Sequence, residues 1–226
     1  MEPTILYEDK HLLVCYKPSG VPTQTAKLGM ADMVSLLKNY LYKKEKKEPY
    51  LAVIHRLDQP VEGILVFAKT PFAAGELNRG LKTNSFGKYY KAVLCGVPKE
   101  QKGRLEDYMV KDARTNTSSI CAETVTNAKR AVLFYEVLQT ADSNGEEQSL
   151  VQIRLETGRH HQIRVQMANL GCPILGDVKY NPFGKREKGW QRIALCAYHL
   201  EFVHPKTKEP MIFEAEPQGE RFQIFQ

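Results

Sequence analysis

His55-Arg56-Leu57-Asp58-Gln59-Pro60-Val61-Glu62-Gly63 lies between two apolar runs, Leu51-Ala52-Val53-Ile54 and Ile64-Leu65-Val66-Phe67-Ala68. Both runs have the length and composition of buried strands. A charged cluster on a tight connection between buried strands is costly unless its charges are paired or used in chemistry. Asp58 is therefore the first candidate for a catalytic carboxylate. The plain alternative is an aspartate that caps a turn, here the turn announced by Gln59-Pro60.

Working outward, further segments follow in order. Tyr7-Glu8-Asp9-Lys10-His11-Leu12-Leu13-Val14-Cys15-Tyr16 runs into Lys17-Pro18-Ser19-Gly20. Lys88-Tyr89-Tyr90-Lys91-Ala92 comes next, then Thr157-Gly158-Arg159-His160-His161-Gln162-Ile163-Arg164-Val165. Gly171-Cys172-Pro173-Ile174-Leu175-Gly176-Asp177 and Phe202-Val203-His204-Pro205 complete the set. With His55-Arg56-Leu57-Asp58, these segments resemble the RluA-type pseudouridine synthases over nearly the whole chain. A single short match would carry little, but several in the right order are jointly specific.

The resemblance implies an α+β fold: a mixed, largely antiparallel sheet with flanking helices and a central catalytic cleft, in one catalytic domain over residues 1–226. It implies an isomerase that converts uridines of rRNA or tRNA to pseudouridine. Such a reaction breaks the N1–C1′ bond, turns the base and rejoins it through C5, with no metal, nucleotide or other cofactor. By the same resemblance Asp58 is catalytic, either as a nucleophile toward carbon or as the base that removes a sugar proton. Arg164 matches the basic partner of that aspartate, whose planar fork suits a buried carboxylate. An ion pair between Asp58 and Arg164 is accordingly expected. Tyr90 matches the active-site tyrosine, able to stack on an extruded uracil or take part in proton transfer. The Tyr89-Tyr90 doublet permits a one-residue shift, and strand alternation would send the two rings to opposite faces. Ile163 would form an apolar wall, and Arg56 would fill the stack or hold a phosphate once the base has flipped. Arg159, His160 and His161 are candidates for phosphate contact. His55 is expected to pack behind the loop.

The chain departs from the family pattern at Val61-Glu62, where Thr-Ser is usual, and at Cys196 and Gln166, where histidine is usual. A hydroxyl pair can bond backbone or RNA, whereas valine cannot. Glu62 adds a negative charge near Asp58, so it either faces protein, for instance an arginine, or restricts which RNA fits. These departures bear on substrate identity more than on reaction type. Val61-Glu62 also favours a different reading, a non-catalytic RNA-binding or ribosome-assembly protein that keeps the fold, which the intact Asp58, Tyr90 and Arg164 disfavour. A hydrolase with an aspartate nucleophile has only Asp58 in its support. The family often carries an N-terminal S4-type RNA-binding domain, and this chain opens on the catalytic segments, so RNA recognition is expected from them or from a partner.

The 226 residues suffice for a well-buried core. Lys and Arg exceed Asp and Glu by 32 to 26, a net charge of +6, which suits either solubility or a polyanion such as RNA. No apolar run has the roughly 20 residues of a membrane span, and the first residues lack the pattern of a secretory signal. The five cysteines are scattered singly, which reads as reduced thiols in a cytoplasmic protein. Cys196-Ala197-Tyr198-His199 has a metal-like spacing but no matching second pair, so no metal is expected.

Periodicity and punctuation predict a hairpin of strands at 5–7 and 12–16, a loop over 18–30, and a helix from Met30 to Tyr42 ending in the charged run 43–48. A second helix is predicted over 71–81, capped by Thr70 with Pro71 at its first position. Strands follow at 89–95, 120–125, 131–138 and 150–155, with Asn144-Gly145 as an exposed turn before the last. A short helix is predicted over 161–170 with Gly171 as terminator, then strands at 194–203 and 210–214. The basic segment Gly184–Trp190 reads as an exposed loop.

Overall fold

The computed structural model describes residues 1–27, 29–83, 85–143, 145–182 and 192–226. Asn144 and the basic segment Gly184–Trp190 therefore lie outside the described residues. The chain divides into two compact units, one of residues 1–88 with 197–217, the other of residues 89–196 with 218–226.

The first unit is built on β1 (Thr4–Glu8), β2 (Leu12–Lys17), β3 (Ala52–Val53), β4 (Glu62–Ala68), most of β10 (Leu195–Val203) and β11 (Pro210–Glu214). Its strand order is β1-β2-β4-β10, with β3 paired to β4 and β11 to β10. The β1–β2 turn is tied by Asp9, whose Oδ1 accepts from the amides of His11 and Leu12 at 2.7 and 2.6 Å. Every residue of β2 and β4 is buried, which explains their unbroken apolar runs. One face of the sheet, with Leu12, Val14, Ile64, Val66, Leu200 and Phe202, packs on Ala73, Ala74 and Leu77 of α2 (Pro71–Lys82). The Thr70 side chain accepts from the Ala73 amide at 3.2 Å, the cap its sequence promised. Phe72 of α2 is exposed. Helix α1 runs Met33–Glu45, later than the spacing predicts, because Asp32 and Ser35 close a capping box that fixes its start. Met33, Leu37 and Leu41 are its buried stripe.

The second unit orders its strands β5-β9-β8-β6-β7. They are β5 (Gly87–Cys95), β6 (Lys102–Asp112), β7 (Thr117–Cys121), β8 (Lys129–Ser143) and β9 (Glu146–Leu155), and each pairing from β5–β9 to β6–β7 is antiparallel. Strand β6 has no counterpart among the sequence expectations, and β8 and β9 run longer than expected as one extended hairpin. The run 51–54 goes the other way: only Ala52 and Val53 are strand, and they are half-buried. Helix α3 spans Gln162–Asn169, with His161 in the left-handed region (φ 55°) at its start and Gly171 (φ 88°) past its end. Val165 of α3 packs on Met109 and Ala131 of the sheet. The chain enters this unit within β5, leaves it within β10 and returns to it at Gln218. Runs of antiparallel strands with a few helices place the protein in the α+β class.

Candidate active site

In the first unit, Asp58 opens a tight turn in which the Val61 amide donates to the Asp58 carbonyl at 3.0 Å. That turn is latched to the segment after β2. The Lys17 ammonium is fully buried and donates to the carbonyls of Pro18, Val21 and Gln59 at 3.1, 2.7 and 3.1 Å. The Gly20 amide donates to the Gln59 carbonyl, and the Gln59 amide group returns a bond to the Gly20 carbonyl, both at 2.9 Å. Ser19 Oγ donates to the Pro60 carbonyl at 2.8 Å, and Thr23 Oγ1 bonds both the carbonyl and the amide of Leu57. The Lys-Pro-x-Gly segment thus acts as a backbone clamp on Leu57–Pro60, which fixes where Asp58 leaves the chain.

Burial pushes the Lys17 pKa down to about 7, against the opposing pull of Asp58, Glu62 and Cys15. Glu62 is itself 5% exposed. It faces protein, and Lys17 is one cation that feels its charge. Val61 beside it is buried at 3% exposure, in a place where a hydroxyl would need a partner. Gly63 sits at φ 125°, and any Cβ there would run into the Ala197 backbone, so only glycine lets β4 approach β10 this closely.

His55 packs behind the loop, as expected: its Nε2 lies 3.3 Å from the Val66 amide that donates to it, and its ring meets Phe86 edge-on. Desolvation, reinforced by the nearby Lys88 ammonium, lowers its pKa to about 3. The ring is neutral at pH 7 with Nε2 as acceptor, which excludes it as a general acid there. Arg56 is exposed and makes no hydrogen bond or ion pair among the described residues.

In the second unit, Tyr90 is 7% exposed and stands opposite Ile153 across the β5–β9 ladder, while Tyr89 stands opposite Arg154. The doublet is thereby resolved: Tyr90 belongs to the buried face and Tyr89 to the other. Arg164 of α3 is buried and grips Asp177 bidentately, Nε to Oδ2 at 2.7 Å and one terminal nitrogen to Oδ1 at 2.8 Å. Its guanidinium also lies 5.1 Å from the centre of the Tyr180 ring. Ile163, next to it, is buried at 5% exposure.

Arg159 is exposed, with Nε donating to the Arg130 carbonyl at 2.8 Å. His161 is 8% exposed; its Nδ1 meets the Tyr180 hydroxyl at 2.7 Å, and its ring stacks on His160 with centroids 3.7 Å apart. His160 Nδ1 in turn meets Ser118 Oγ at 2.9 Å. Gln162 and Gln166 extend the network, accepting from Thr157 at 2.8 Å and donating to Asp107 at 2.6 Å. Sequence reasoning assigned no role to Lys17, Asp177, Tyr180, Gln162 or Gln166, although Lys17, Gln162 and Asp177 stood inside quoted segments. Gln166 in particular takes the place of an expected histidine and uses its amide to hold Asp107.

Comparison with known proteins gives the family. The family model described as RNA pseudouridylate synthase matches residues 11–169. An RNA pseudouridine synthase of Bacillus subtilis (YhcT) is 34% identical over 214 residues, 95% of this chain and 68% of that protein. The ribosomal large subunit pseudouridine synthase D of Zymomonas mobilis is 34% identical over 224 residues, 94% of this chain and 68% of that one. The solved structure of human RNA pseudouridylate synthase domain containing 1 superposes with a TM-score of 0.77 at 25% identity, covering 96% of this chain and 84% of its own. With a family model spanning well over half of its length, the chain belongs to the RNA pseudouridine synthases, isomerases that act on uridine in RNA.

Proposed function

We propose that the enzyme isomerises specific uridines of rRNA or tRNA in the cytoplasm, with Asp58 as the catalytic carboxylate and without a cofactor. Support comes first from the clamp at Lys17: a turn held by buried backbone bonds fixes the direction of one carboxylate, as orientation-dependent catalysis requires. An ionised Asp58 would attack carbon or take a sugar proton while the N1–C1′ bond breaks. The freed base then turns and is rejoined through C5, and the proton left on C5 is removed. The C5 proton passes to solvent and N1 takes one up, so the composition of the uridine is unchanged and neither a cosubstrate nor an energy source is needed.

Tyr90, Arg164 and Ile163 enter this proposal in the roles their match to the family implies. Arg56, exposed and without a bond among the described residues, suits contact with RNA around the extruded nucleotide. Arg159 is exposed enough for phosphate, whereas the ring of His161 is committed to Tyr180 and serves RNA through the position it gives its neighbours. The name of the Zymomonas mobilis relative points to large-subunit rRNA as the first substrate to test. Pseudouridine mapping of total RNA from cells with and without the gene would identify the target. Sites in rRNA or tRNA that vanish with the gene and return with wild-type protein are expected. Identical maps in both strains would overturn the assignment.

A further inference from the structure

The second unit carries a row of side chains that the proposed chemistry does not use. Across four paired strands the register sets Arg104 opposite Phe134, Phe134 opposite Arg154, and Arg154 opposite Tyr89. Because strand neighbours alternate, these four share one face of the sheet. The next row, Tyr90, Ile153 and Tyr135, faces the other way and is buried at 7, 0 and 6% exposure. Arg104 and Arg154 are exposed, and Phe134 is half-buried between them.

The guanidinium of Arg154 lies 4.6 Å from the Phe134 ring centre and that of Arg104 lies 5.9 Å from it. An arginine laid on an aromatic ring gives up rotamer freedom in advance and keeps the N–H fork along its edge free for an anion. The carboxylates on this face are already engaged. Glu106 holds Arg104 and Arg130, and Glu136 holds Lys102. Arg154 has no carboxylate within ion-pair distance among the described residues. A purely structural ladder would gain little from an exposed, stacked and electrically uncompensated arginine at its centre.

We propose that the row Tyr89–Arg154–Phe134–Arg104 is a docking surface for the backbone of the substrate RNA, on the sheet face opposite Tyr90, with Arg154 as its principal phosphate contact. The proposal rests on the reading that the substrate is RNA. Planar guanidinium forks match phosphate oxygens bidentately. The surface would therefore add affinity and salt dependence without adding sequence choice.

The test uses the full chain and a fluorescein-labelled RNA stem-loop with single-stranded flanks, titrated by anisotropy at several KCl concentrations. Arg154→Ala is expected to weaken binding by about three- to tenfold and to lower the slope of log affinity against log salt by about one. Arg154→Glu should weaken it further. Arg154→Lys should keep the slope but lose part of the affinity, since the charge stays and the stacked fork goes. Urea midpoints and the single-turnover rate at saturating RNA should match wild type. Affinity and slope unchanged in both Arg154→Ala and Arg154→Glu would overturn the docking surface, as would a loss that tracks a lowered urea midpoint. Wild-type protein that neither binds the RNA with salt dependence nor forms pseudouridine in any RNA would instead overturn the reading on which the proposal rests.

Discussion

At the scale of single residues, buried ionisable groups around the Asp58 turn give the protein a pH signature. The folded-state pKa of Lys17 is lowered to about 7 from 10.5, so between those values the native state binds fewer protons than the unfolded chain. Stability should therefore rise with pH across that window, by on the order of a few kcal/mol, and Lys17→Met should flatten the rise in urea titrations. The same variant deprives three carbonyls of their donor, so its stability at pH 7 should still fall. His55 works in the acid range. Its pKa falls from 6.5 to about 3, the unfolded chain binds the extra proton, and stability is lost as pH drops from 6.5 toward 3. His55→Gln should shed part of that acid loss, and a denaturation profile as steep as wild type between those pH values would count against the assignment. Asp58 stood out as a candidate because it lies in a recognisable segment between apolar runs. Lys17 stood in an equally visible segment, but nothing in a sequence says that a lysine is fully buried, since lysines almost never are.

At the scale of elements, β4 is the strand that the Asp58 turn leads into. Its Gly63 has a φ that a side chain tolerates poorly, and a Cβ would strike the Ala197 backbone. Gly63→Ala should destabilise the protein by several kcal/mol, read as a fall in the urea midpoint, and should take activity with it. A near-wild-type midpoint would show that β10 can yield. Thr70→Ala, by contrast, removes one capping bond and should cost about 1 kcal/mol with activity retained. Elements with one strong signal were read well from the sequence: α2 from Thr70-Pro71, and β2 and β4 from their apolar runs. Strand β6 was invisible because Lys-Gly-Arg-Leu-Glu-Asp-Tyr-Met-Val-Lys-Asp puts polar groups on both faces, with only Met109 buried. Its place is set by pairing to β8 and β7, a tertiary fact that local pattern does not carry.

At the scale of the whole molecule, the chain folds as two compact units and passes between them inside β5, inside β10 and again at Pro217–Gln218. No Gly-, Pro- or Ser-rich linker marks the crossings in β5 and β10, and the resemblance implied one catalytic domain over residues 1–226. The family and its chemistry were legible because ordered segments recur along the sequence; the contacts that orient them were not. Arg164 illustrates the gap, since the sequence suggested what it serves but not its bidentate grip on Asp177. The central claim is that this protein makes pseudouridine with Asp58. Single-turnover tritium release from RNA labelled at C5 of uridine, on the target found by mapping, tests it directly. Asp58→Asn should fold with a wild-type urea midpoint and lose several orders of magnitude in rate, since it removes the group on which bond exchange depends. A loss of less than about tenfold would contradict the account, because an essential catalytic carboxylate contributes far more than that.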